Sequence, residues 1–245
     1  MLAPMNEKAR LLRRREAVLT LAGLGLTGAL GARASGVLGT PGAEAATGCV
    51  LSPEVTEGPY WIDNKLTRRD ITEGRPGLPL ELVLTVQDAK TCTAIKGADV
   101  ELWHCDAVGV YSGYESAAAG APGGRQASPT DSDRYLRGHQ KAAADGRVRF
   151  LTIYPGWYRG RTPHIHLKVH VGGSVVHTGQ VFFDEKTTAA VYRHSPYKSH
   201  GQPDTSHAED MIYAQAGRSR ATLRLSRRSH GRKGYRGAIT LGVAT

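Results

Sequence analysis

The sequence predicts an all-β protein, an antiparallel β-sandwich of about seven to nine strands with long loops and one or two short helices. The chain has 245 residues with 30 Gly and 12 Pro against three Phe and three Met, which favours many turns and a core of aliphatic side chains. Seven short segments with strand signals are separated by turn residues. With 40% hydrophobic and 22% charged residues, the chain is globular, which excludes a coiled coil and a collagen.

Residues 1–45 have the features of an export signal. Arg13-Arg14-Arg15 precedes the apolar run Ala17–Leu30, and Ala43-Glu44-Ala45 matches an A-x-A cleavage site. The run is shorter than the roughly 20 residues that cross a bilayer, which favours a cleaved twin-arginine signal over an uncleaved anchor. We therefore expect an exported protein, either secreted or associated with the cell envelope.

After this signal we expect an extended N-terminal arm over residues 46–80, rich in Pro, Gly, Thr and charge, and a β-sandwich domain over residues 81–245. The predicted strands are, in chain order, Glu81–Asp88, Ala98–His104, Arg147–Ile153, His164–Val171, Val175–Phe183, Ala221–Leu225 and Ala238–Val243. The first alternates, with Leu82, Leu84 and Val86 on one face.

Helices are predicted at Lys186–His194 and Ala208–Gln215. Between the second and third strands, Ser112–Gln126 are rich in Gly, Ala and Ser. A loop of this length in a compact domain indicates a functional role.

Three cysteines, Cys49, Cys92 and Cys105, follow the signal, and an oxidising destination favours one disulfide. Cys92 falls in a predicted turn, and Cys105 lies at the far end of the next strand. A hairpin would keep these two apart, which favours a disulfide that includes Cys49. Its partner stays open at this point, and the odd count leaves one thiol over.

The sharpest local motif is Pro163-His164-Ile165-His166, at the start of a predicted strand. Side chains alternate along a strand, so both imidazoles project from the same face as a chelating pair. His170 has the same parity, but its distance from the pair indicates a solvated strand end. Alone the motif is weak, because solvated or core histidines are commoner than metal ligands.

Further motifs accompany this pair. They are Thr56-Glu57-Gly58-Pro59-Tyr60, Trp103-His104-Cys105-Asp106-Ala107 with Gly109-Val110-Tyr111, Pro155-Gly156-Trp157-Tyr158, Arg161-Thr162-Pro163-His164-Ile165-His166, and Thr178-Gly179-Gln180-Val181-Phe182-Phe183. Over residues 49–215 the chain resembles the intradiol ring-cleavage dioxygenases, non-haem iron(III) enzymes that include catechol and protocatechuate dioxygenases. It is similar to the exported single-domain type, since about 35 residues before the first strand are too few for a helical dimerisation domain.

The resemblance implies a ligand set and a substrate site. The ligands of one Fe³⁺ per chain would be Tyr111, Tyr158, His164 and His166. Such an ion suits phenolates, because a hard trivalent cation removes the proton of a tyrosine, whose free pKa is about 10. Tyr158 would also be a catalytic base, and Arg161 would stabilise negative charge on the ring. The substrate-binding residues would be Gly58, Pro59, Tyr60, Arg161 and Gln180.

The reaction that the resemblance implies is cleavage of a catechol between its two hydroxylated carbons by O₂, giving a cis,cis-muconate-type diacid. The ring substituent and the oligomeric state stay open. The alternative is a secreted β-sandwich module that binds an aromatic or anionic ligand without turnover. Each tyrosine or arginine taken alone also fits an ordinary structural role, but their joint pattern favours the enzyme.

The formal net charge of +10 raises the question of an anionic partner such as nucleic acid. Much of this charge lies between Gly217 and Arg236, where no acid interrupts Arg218, Arg220, Arg224, Arg227, Arg228, Arg232, Lys233 and Arg236. The stretch matches no nucleic-acid-binding motif. We expect a solvated strand pair and loop, which at most associates loosely with an anionic cell envelope.

Overall fold

The computed structural model of the chain describes residues 49–115, 127–229 and 233–245. The predicted export signal and all but the first four residues of the Ser112–Gln126 loop lie outside these ranges. Among the described residues, no helix is long and apolar enough to cross a membrane.

The described residues form eight strands in two four-stranded sheets, which confirms the predicted β-sandwich. The strands are β1 (Pro79–Asp88), β2 (Asp99–Trp103), β3 (Arg137–Lys141), β4 (Arg147–Ile153), β5 (His164–Val171), β6 (Ser174–Phe182), β7 (Arg224–Arg227) and β8 (Tyr235–Val243). The first sheet has the order β4-β1-β8-β7 and the second β3-β2-β5-β6. Two α-helices, α1 (Glu185–Val191) and α2 (Met211–Gln215), and two 3₁₀ helices, Tyr197–Ser199 and Arg218–Ala221, connect β6 to β7.

One strand pairing is not antiparallel. β8 lies beside β1 and runs parallel to it, with Leu80 opposite Tyr235 and Asp88 opposite Val243. All other pairings between named strands are antiparallel. The first sheet is therefore mixed, because the last strand enters between β1 and β7 instead of adding to an edge.

β3 is absent from the predicted strands because its sequence, Arg-Gly-His-Gln-Lys, has no apolar alternation. It is nevertheless an edge strand of the second sheet, paired with β2. Its first residue, Arg137, is buried and donates hydrogen bonds to the hydroxyl (2.9 Å) and carbonyl (2.8 Å) of Ser112. Polar tertiary contacts thus replace the apolar pattern that identifies the other strands.

The C-terminal elements differ from their predicted bounds. β7 begins three residues after the predicted start, because Arg218–Ala221 form a 3₁₀ helix. β8 begins three residues earlier than predicted, at Tyr235. Helix α2 is shorter than predicted because Asp210 is its N-cap, accepting hydrogen bonds from two backbone N–H groups of the first turn.

The hydrophobic core lies between the two sheets. Leu82, Leu84 and Val86 on β1 are completely buried, as their alternation predicts. They share one apolar cluster with Val100 and Leu102 of β2 and with Ile165, Leu167 and Val169 of β5. Each large aliphatic side chain buried in this way contributes roughly 1.5–3 kcal/mol.

The opposite face of the second sheet is polar, and the chain before β1 covers part of it. Trp61 donates a hydrogen bond of 3.0 Å from Nε1 to Glu101 on β2, and Thr67 forms a parallel bridge with His139 on β3. Because of this cover, Glu101 and His166 are only 2% and 1% exposed. Polar side chains on the outer face of the sheet are therefore buried, although they lie outside the apolar core.

Most of the basic C-terminal stretch is exposed where it is described, and Arg228 is half-buried. Arg224 and Arg227 on β7 and Arg236 on β8 are exposed, as expected for a solvated strand pair, and the Arg227 guanidinium lies 5.6 Å from the Tyr235 ring centroid. Arg232 lies outside the described residues.

The disulfide joins Cys49 to Cys92, and Cys105 is a buried free cysteine. The expectation of a bond that includes Cys49 is confirmed. Burial raises the pKa of the Cys105 thiol far above its ordinary value, so this group is an unreactive thiol.

Replacing both Cys49 and Cys92 with Ala should lower the free energy of unfolding by roughly 2–4 kcal/mol. The two cysteines have a sequence separation of 43, so the disulfide closes a loop that restricts the conformations of the unfolded chain. Urea unfolding measures the loss. Wild-type protein unfolded with dithiothreitol is the matched control and should show a similar loss; equal stability of oxidised wild type and the variant would contradict the prediction.

Candidate active site

Strand β5 places two histidines on the covered outer face of the second sheet. Ile165 and Leu167 point into the core between the sheets, so His164 and His166 project to the other side. They are 2% and 1% exposed. The structure therefore brings the histidine pair into a buried polar site, away from solvent.

Four side-chain atoms converge in this site. The Tyr158 hydroxyl lies 3.2 Å from His164 Nε2, which lies 3.0 Å from His166 Nε2. His166 Nε2 in turn lies 3.1 Å from the Tyr111 hydroxyl. Two phenol oxygens and two imidazole nitrogens are thus neighbours of one another, although Tyr111 is 55 residues distant from His166 in sequence.

The tautomer of His164 is set by its other ring nitrogen. Nδ1 of His164 donates to the Thr162 carbonyl at 2.7 Å, which leaves the Nε2 lone pair directed at the other three atoms. His166 is oriented by Trp103, whose ring stacks on it at 5.0 Å with an interplanar angle of 10°. Both imidazoles therefore present Nε2 to the same point.

Burial governs the protonation of all four groups. It raises the pKa of Tyr111 well above its ordinary value, and the phenol of Tyr158 and the thiol of Cys105 raise it further. The pKa of Tyr158 is raised only to about 12, since the positive charge of Arg161 opposes the effect of burial. Burial lowers the pKa values of His164 and His166 well below the ordinary range. The imidazoles are therefore neutral, the form that can bind a cation.

Arg161 is held beside this cluster by two partners. Its Nε donates to both carboxylate oxygens of Asp210, at 3.2 and 3.0 Å, and its Nη2 donates to Gln180 Oε1 at 2.6 Å. The remaining nitrogen, Nη1, lies 3.4 Å from the Tyr158 hydroxyl and 3.5 Å from His164 Nε2. The guanidinium is thus a fixed positive charge at the edge of the four donor atoms.

The segment Gly58-Pro59-Tyr60 closes another side of the cluster. Gly58 has a φ of 72°, and a Cβ there would lie 3.0 Å from Cε1 of His166, so a larger residue would press on the imidazole. The Tyr60 ring stacks on Tyr111 at 4.7 Å. Its hydroxyl is buried and has no hydrogen-bond partner in the part of the chain that the structure describes, so it is available to a bound molecule. Pro59 accepts a backbone hydrogen bond from Ala127 at 2.9 Å.

Two residues of this site are absent from the sequence-based assignment. Asp210 accepts hydrogen bonds from Arg161, from the backbone N–H and hydroxyl of Thr162, and from the first turn of α2. It lies inside the predicted helix Ala208–Gln215, so the sequence identifies it neither as an N-cap nor as the partner of Arg161. Trp103 belongs to one of the motifs that carry the resemblance but has no assigned role there, and its buried indole covers His166.

His170 is a correction to the sequence interpretation. It is not a solvated strand end, because its side chain is only 22% exposed and its Nε2 lies 3.4 Å from a carboxylate oxygen of Glu101. It does lie apart from the four donor atoms, as expected. Four residues along β5 separate it from His166, or roughly 13 Å.

The solved structure of an intradiol ring-cleavage dioxygenase from Tetranychus urticae has a sequence that is 37% identical to this chain. The similarity covers 80% of this chain and 95% of that chain, with a TM-score of 0.73. This chain belongs to the intradiol ring-cleavage dioxygenases. The sequence resemblance is therefore confirmed at the level of the family.

Two other relatives of this intradiol dioxygenase are bacterial proteins. The dioxygenase domain of a dioxygenase and carbohydrate-binding fusion from Streptomyces sp. SirexAA-E is 26% identical, covers 80% of this chain and 99% of that domain, and has a TM-score of 0.56. Catechol 1,2-dioxygenase 1 of Acinetobacter lwoffii is 31% identical over 150 residues, which are 58% of this chain and 42% of that enzyme. The chain thus matches about two fifths of the length of this curated relative. No family model matches the sequence.

Proposed function

We propose that this intradiol dioxygenase cleaves a catechol between its two hydroxylated carbons with O₂, giving a cis,cis-muconate-type diacid. The proposed cofactor is one Fe³⁺ per chain, held by Tyr111, Tyr158, His164 and His166. The observation that carries the proposal is the convergence of their four donor atoms, with neighbouring atoms 3.0–3.2 Å apart. Relatives in the family include a catechol 1,2-dioxygenase, which supports the class of substrate.

The donor set fits a ferric ion. Tyr111 and Tyr158 would bind as phenolates, whose two negative charges offset most of a trivalent charge, and the neutral imidazoles add none. In the buried site each phenol has a raised pKa, so both oxygens require a nearby cation to ionise at neutral pH. His164 already has the tautomer that a metal ligand needs, with Nδ1 bound to a backbone carbonyl.

Bound Fe³⁺ would supply the Lewis acidity that ionises the phenols and the hydroxyls of a catechol. Tyr158 is the better placed of the two tyrosines to exchange a proton with the substrate. Its hydroxyl has Arg161 Nη1 at 3.4 Å, so its anionic form is stabilised more than that of Tyr111. We assign Tyr158 as ligand and base on this ground.

Arg161 provides a fixed positive charge for an anionic substrate. Asp210 and Gln180 hold its guanidinium on two sides, so little reorganisation is needed when negative charge develops on the ring. The buried aromatic rings of Tyr60 and Trp103 pack on Tyr111 and His166 and exclude water from the donor atoms. Gln180 also donates from Nε2 to the Thr56 carbonyl at 2.9 Å, which ties the segment before Gly58 to the site.

The optical spectrum of the iron-loaded protein tests this proposal. We expect a reddish colour from tyrosinate-to-iron charge transfer, a shift of the band when catechol is added without oxygen, and consumption of O₂ when air is admitted. A protein that binds iron without colour, or one that stays colourless and inactive after iron loading, would contradict the proposal. A colourless protein that still binds catechol would instead indicate the binding module without turnover.

We also infer that the protein is exported by the twin-arginine route. The triple arginine before an apolar run and the Cys49–Cys92 disulfide support this, since disulfides persist in oxidising compartments. Replacing Arg13, Arg14 and Arg15 together with Lys should retain the protein in the cytoplasm, measured by fractionation. Continued export of this variant would contradict the route.

A further inference from the structure

A second cluster of metal-binding side chains lies on the outer face of the same sheet, at the other end of its strands. Glu101 of β2, His139 of β3 and His170 of β5 each offer one ligand atom, and these atoms all lie within 4.8 Å of one another. Glu101 lies opposite His139 in the strand register, which is why side chains of three different strands meet here. The cluster is separate from the four donor atoms, since His170 and His166 are roughly 13 Å apart along β5.

The buried nitrogen of His139 is the most informative atom of this cluster. Its Nε2 is buried without a hydrogen-bond partner among the described residues, and the side chain as a whole is only 9% exposed. It points at Glu101, whose Oε1 lies 3.6 Å away. Its Nδ1 lies 3.3 Å from the carboxylate of Asp99, an arrangement that directs the Nε2 lone pair towards the cluster. A polar atom held in this way without a partner indicates a ligand.

Glu101 is also positioned by its neighbours. Its Oε1 accepts hydrogen bonds from Trp61 Nε1 at 3.0 Å and Asn64 Nδ2 at 3.4 Å. Its Oε2 lies 3.4 Å from His170 Nε2. For ligands at about 2.0–2.1 Å from a tetrahedral zinc ion, the geometry requires neighbouring ligand atoms roughly 3.3 Å apart. The spacing of 3.6 Å from Glu101 Oε1 to His139 Nε2 and the spacing of 3.4 Å from Glu101 Oε2 to His170 Nε2 are close to this value, so each carboxylate oxygen faces one imidazole.

The surroundings favour a cation. The Glu101 side chain is only 2% exposed and that of His170 22%, so a bound cation would offset the cost of burying the carboxylate charge. An open cleft of about 560 Å³, lined in part by His139, His170 and Asp99, gives access from solvent. The two lysines near the cluster are each paired with another carboxylate. Lys65 Nζ lies 2.8 Å from Asp63 Oδ1, and Lys168 Nζ lies 2.6 Å from Glu57 Oε2.

We propose that Glu101, His139 and His170 form a second metal site, for a divalent transition ion of the zinc class. Two imidazoles and one carboxylate are a donor set that Zn²⁺ accepts, with a fourth position left for water from the cleft. Asp99 positions His139 and is not a ligand. Bound metal would connect β2, β3 and β5 on the outer face of the sheet, and would therefore stabilise the fold. This proposal does not depend on the reaction at the tyrosine and histidine site.

Calorimetric titration of iron-loaded protein with ZnCl₂ tests the site. We expect the wild type to bind one equivalent of Zn²⁺. His139→Ala and His170→Ala should each lower the affinity for Zn²⁺ by roughly 100-fold or more, and Asp99→Asn should lower it by about 10–100-fold. His194→Ala is the matched control, because this histidine is exposed and outside the cluster. Its affinity for Zn²⁺ should equal that of the wild type.

Thermal unfolding separates binding from loss of fold. Zn²⁺ should raise the Tm of the wild type and of His194→Ala, but not that of His170→Ala, whose half-buried side chain can be removed with little loss of packing. The proposal is overturned if the wild type binds no Zn²⁺, or if both histidine variants bind it as tightly as the wild type. It is also overturned if Zn²⁺ bleaches the iron band in proportion to its binding, since the ion would then occupy the other site.

Discussion

Replacing Tyr158 with Phe should lower kcat/KM for catechol by roughly 10²–10⁴-fold, the range for loss of a positioned acid or base. The variant loses the phenol oxygen that lies 3.2 Å from His164 Nε2 and 3.4 Å from Arg161 Nη1. Three of the four donors remain, so the protein should still bind iron, with an altered colour and slower catechol binding. Steady-state oxygen uptake and stopped-flow absorbance measure the two effects.

Tyr213→Phe is the matched control for this substitution. Tyr213 is also a buried tyrosine, but its hydroxyl lies 3.2 Å from the Thr222 hydroxyl, outside the group of four donor atoms. Its removal should cost about 1 kcal/mol of stability and leave the spectrum unchanged. Equal spectra and rates for Tyr158→Phe and wild type would show that Tyr158 is neither ligand nor base.

Replacing Arg161 with Gln should lower kcat/KM by roughly 10²–10³-fold, the range for loss of one preorganised charge-stabilising donor. The physical reason is that its guanidinium brings a positive charge within 3.4 Å of the Tyr158 hydroxyl and 3.5 Å of His164 Nε2. Arg161→Lys should recover only part of the rate, because an ammonium cannot contact Asp210, Gln180 and Tyr158 in the same geometry. The iron content should stay that of the wild type, since Arg161 is not a ligand.

The control for the arginine is two residues away in the same loop. Arg159 is exposed, and Arg159→Gln should leave the rate unchanged and alter the stability by no more than about 0.5 kcal/mol. Thermal unfolding checks that Arg161→Gln is folded. We expect it to fold, because Asp210 keeps its hydrogen bonds to Thr162 and α2 in that variant. Wild-type activity in a folded Arg161→Gln would contradict a role for this charge.

The elements that the sequence predicts well are those with a regular apolar pattern. β4 and β5 begin and end at the predicted residues, because each alternates between a buried core face and a second face. The sequence does not predict β3, because its partners are polar and lie far away in the chain, such as Ser112 for Arg137. The parallel pairing of β1 with β8 also joins strands that are far apart in the sequence, so no local pattern predicts it.

The candidate site shows the same division. The motifs around Tyr111, Tyr158 and the histidine pair identify the residues that meet, since each lies at a turn or strand end with a recognisable local sequence. Asp210 cannot be assigned in this way, because its role depends on a contact with Arg161 across 49 residues. The cluster of Glu101, His139 and His170 escapes sequence reasoning for a similar cause, as it forms only when three strands pair.

Product analysis under ¹⁸O₂ tests the central claim most directly. Iron-loaded protein is given catechol and a panel of substituted catechols, oxygen uptake is followed, and the products are identified by mass spectrometry. We predict a cis,cis-muconate-type diacid that carries both atoms of one O₂, with uptake and product in equal amounts. An extradiol product, or no oxygen uptake by protein that holds one ferric ion per chain, would contradict it.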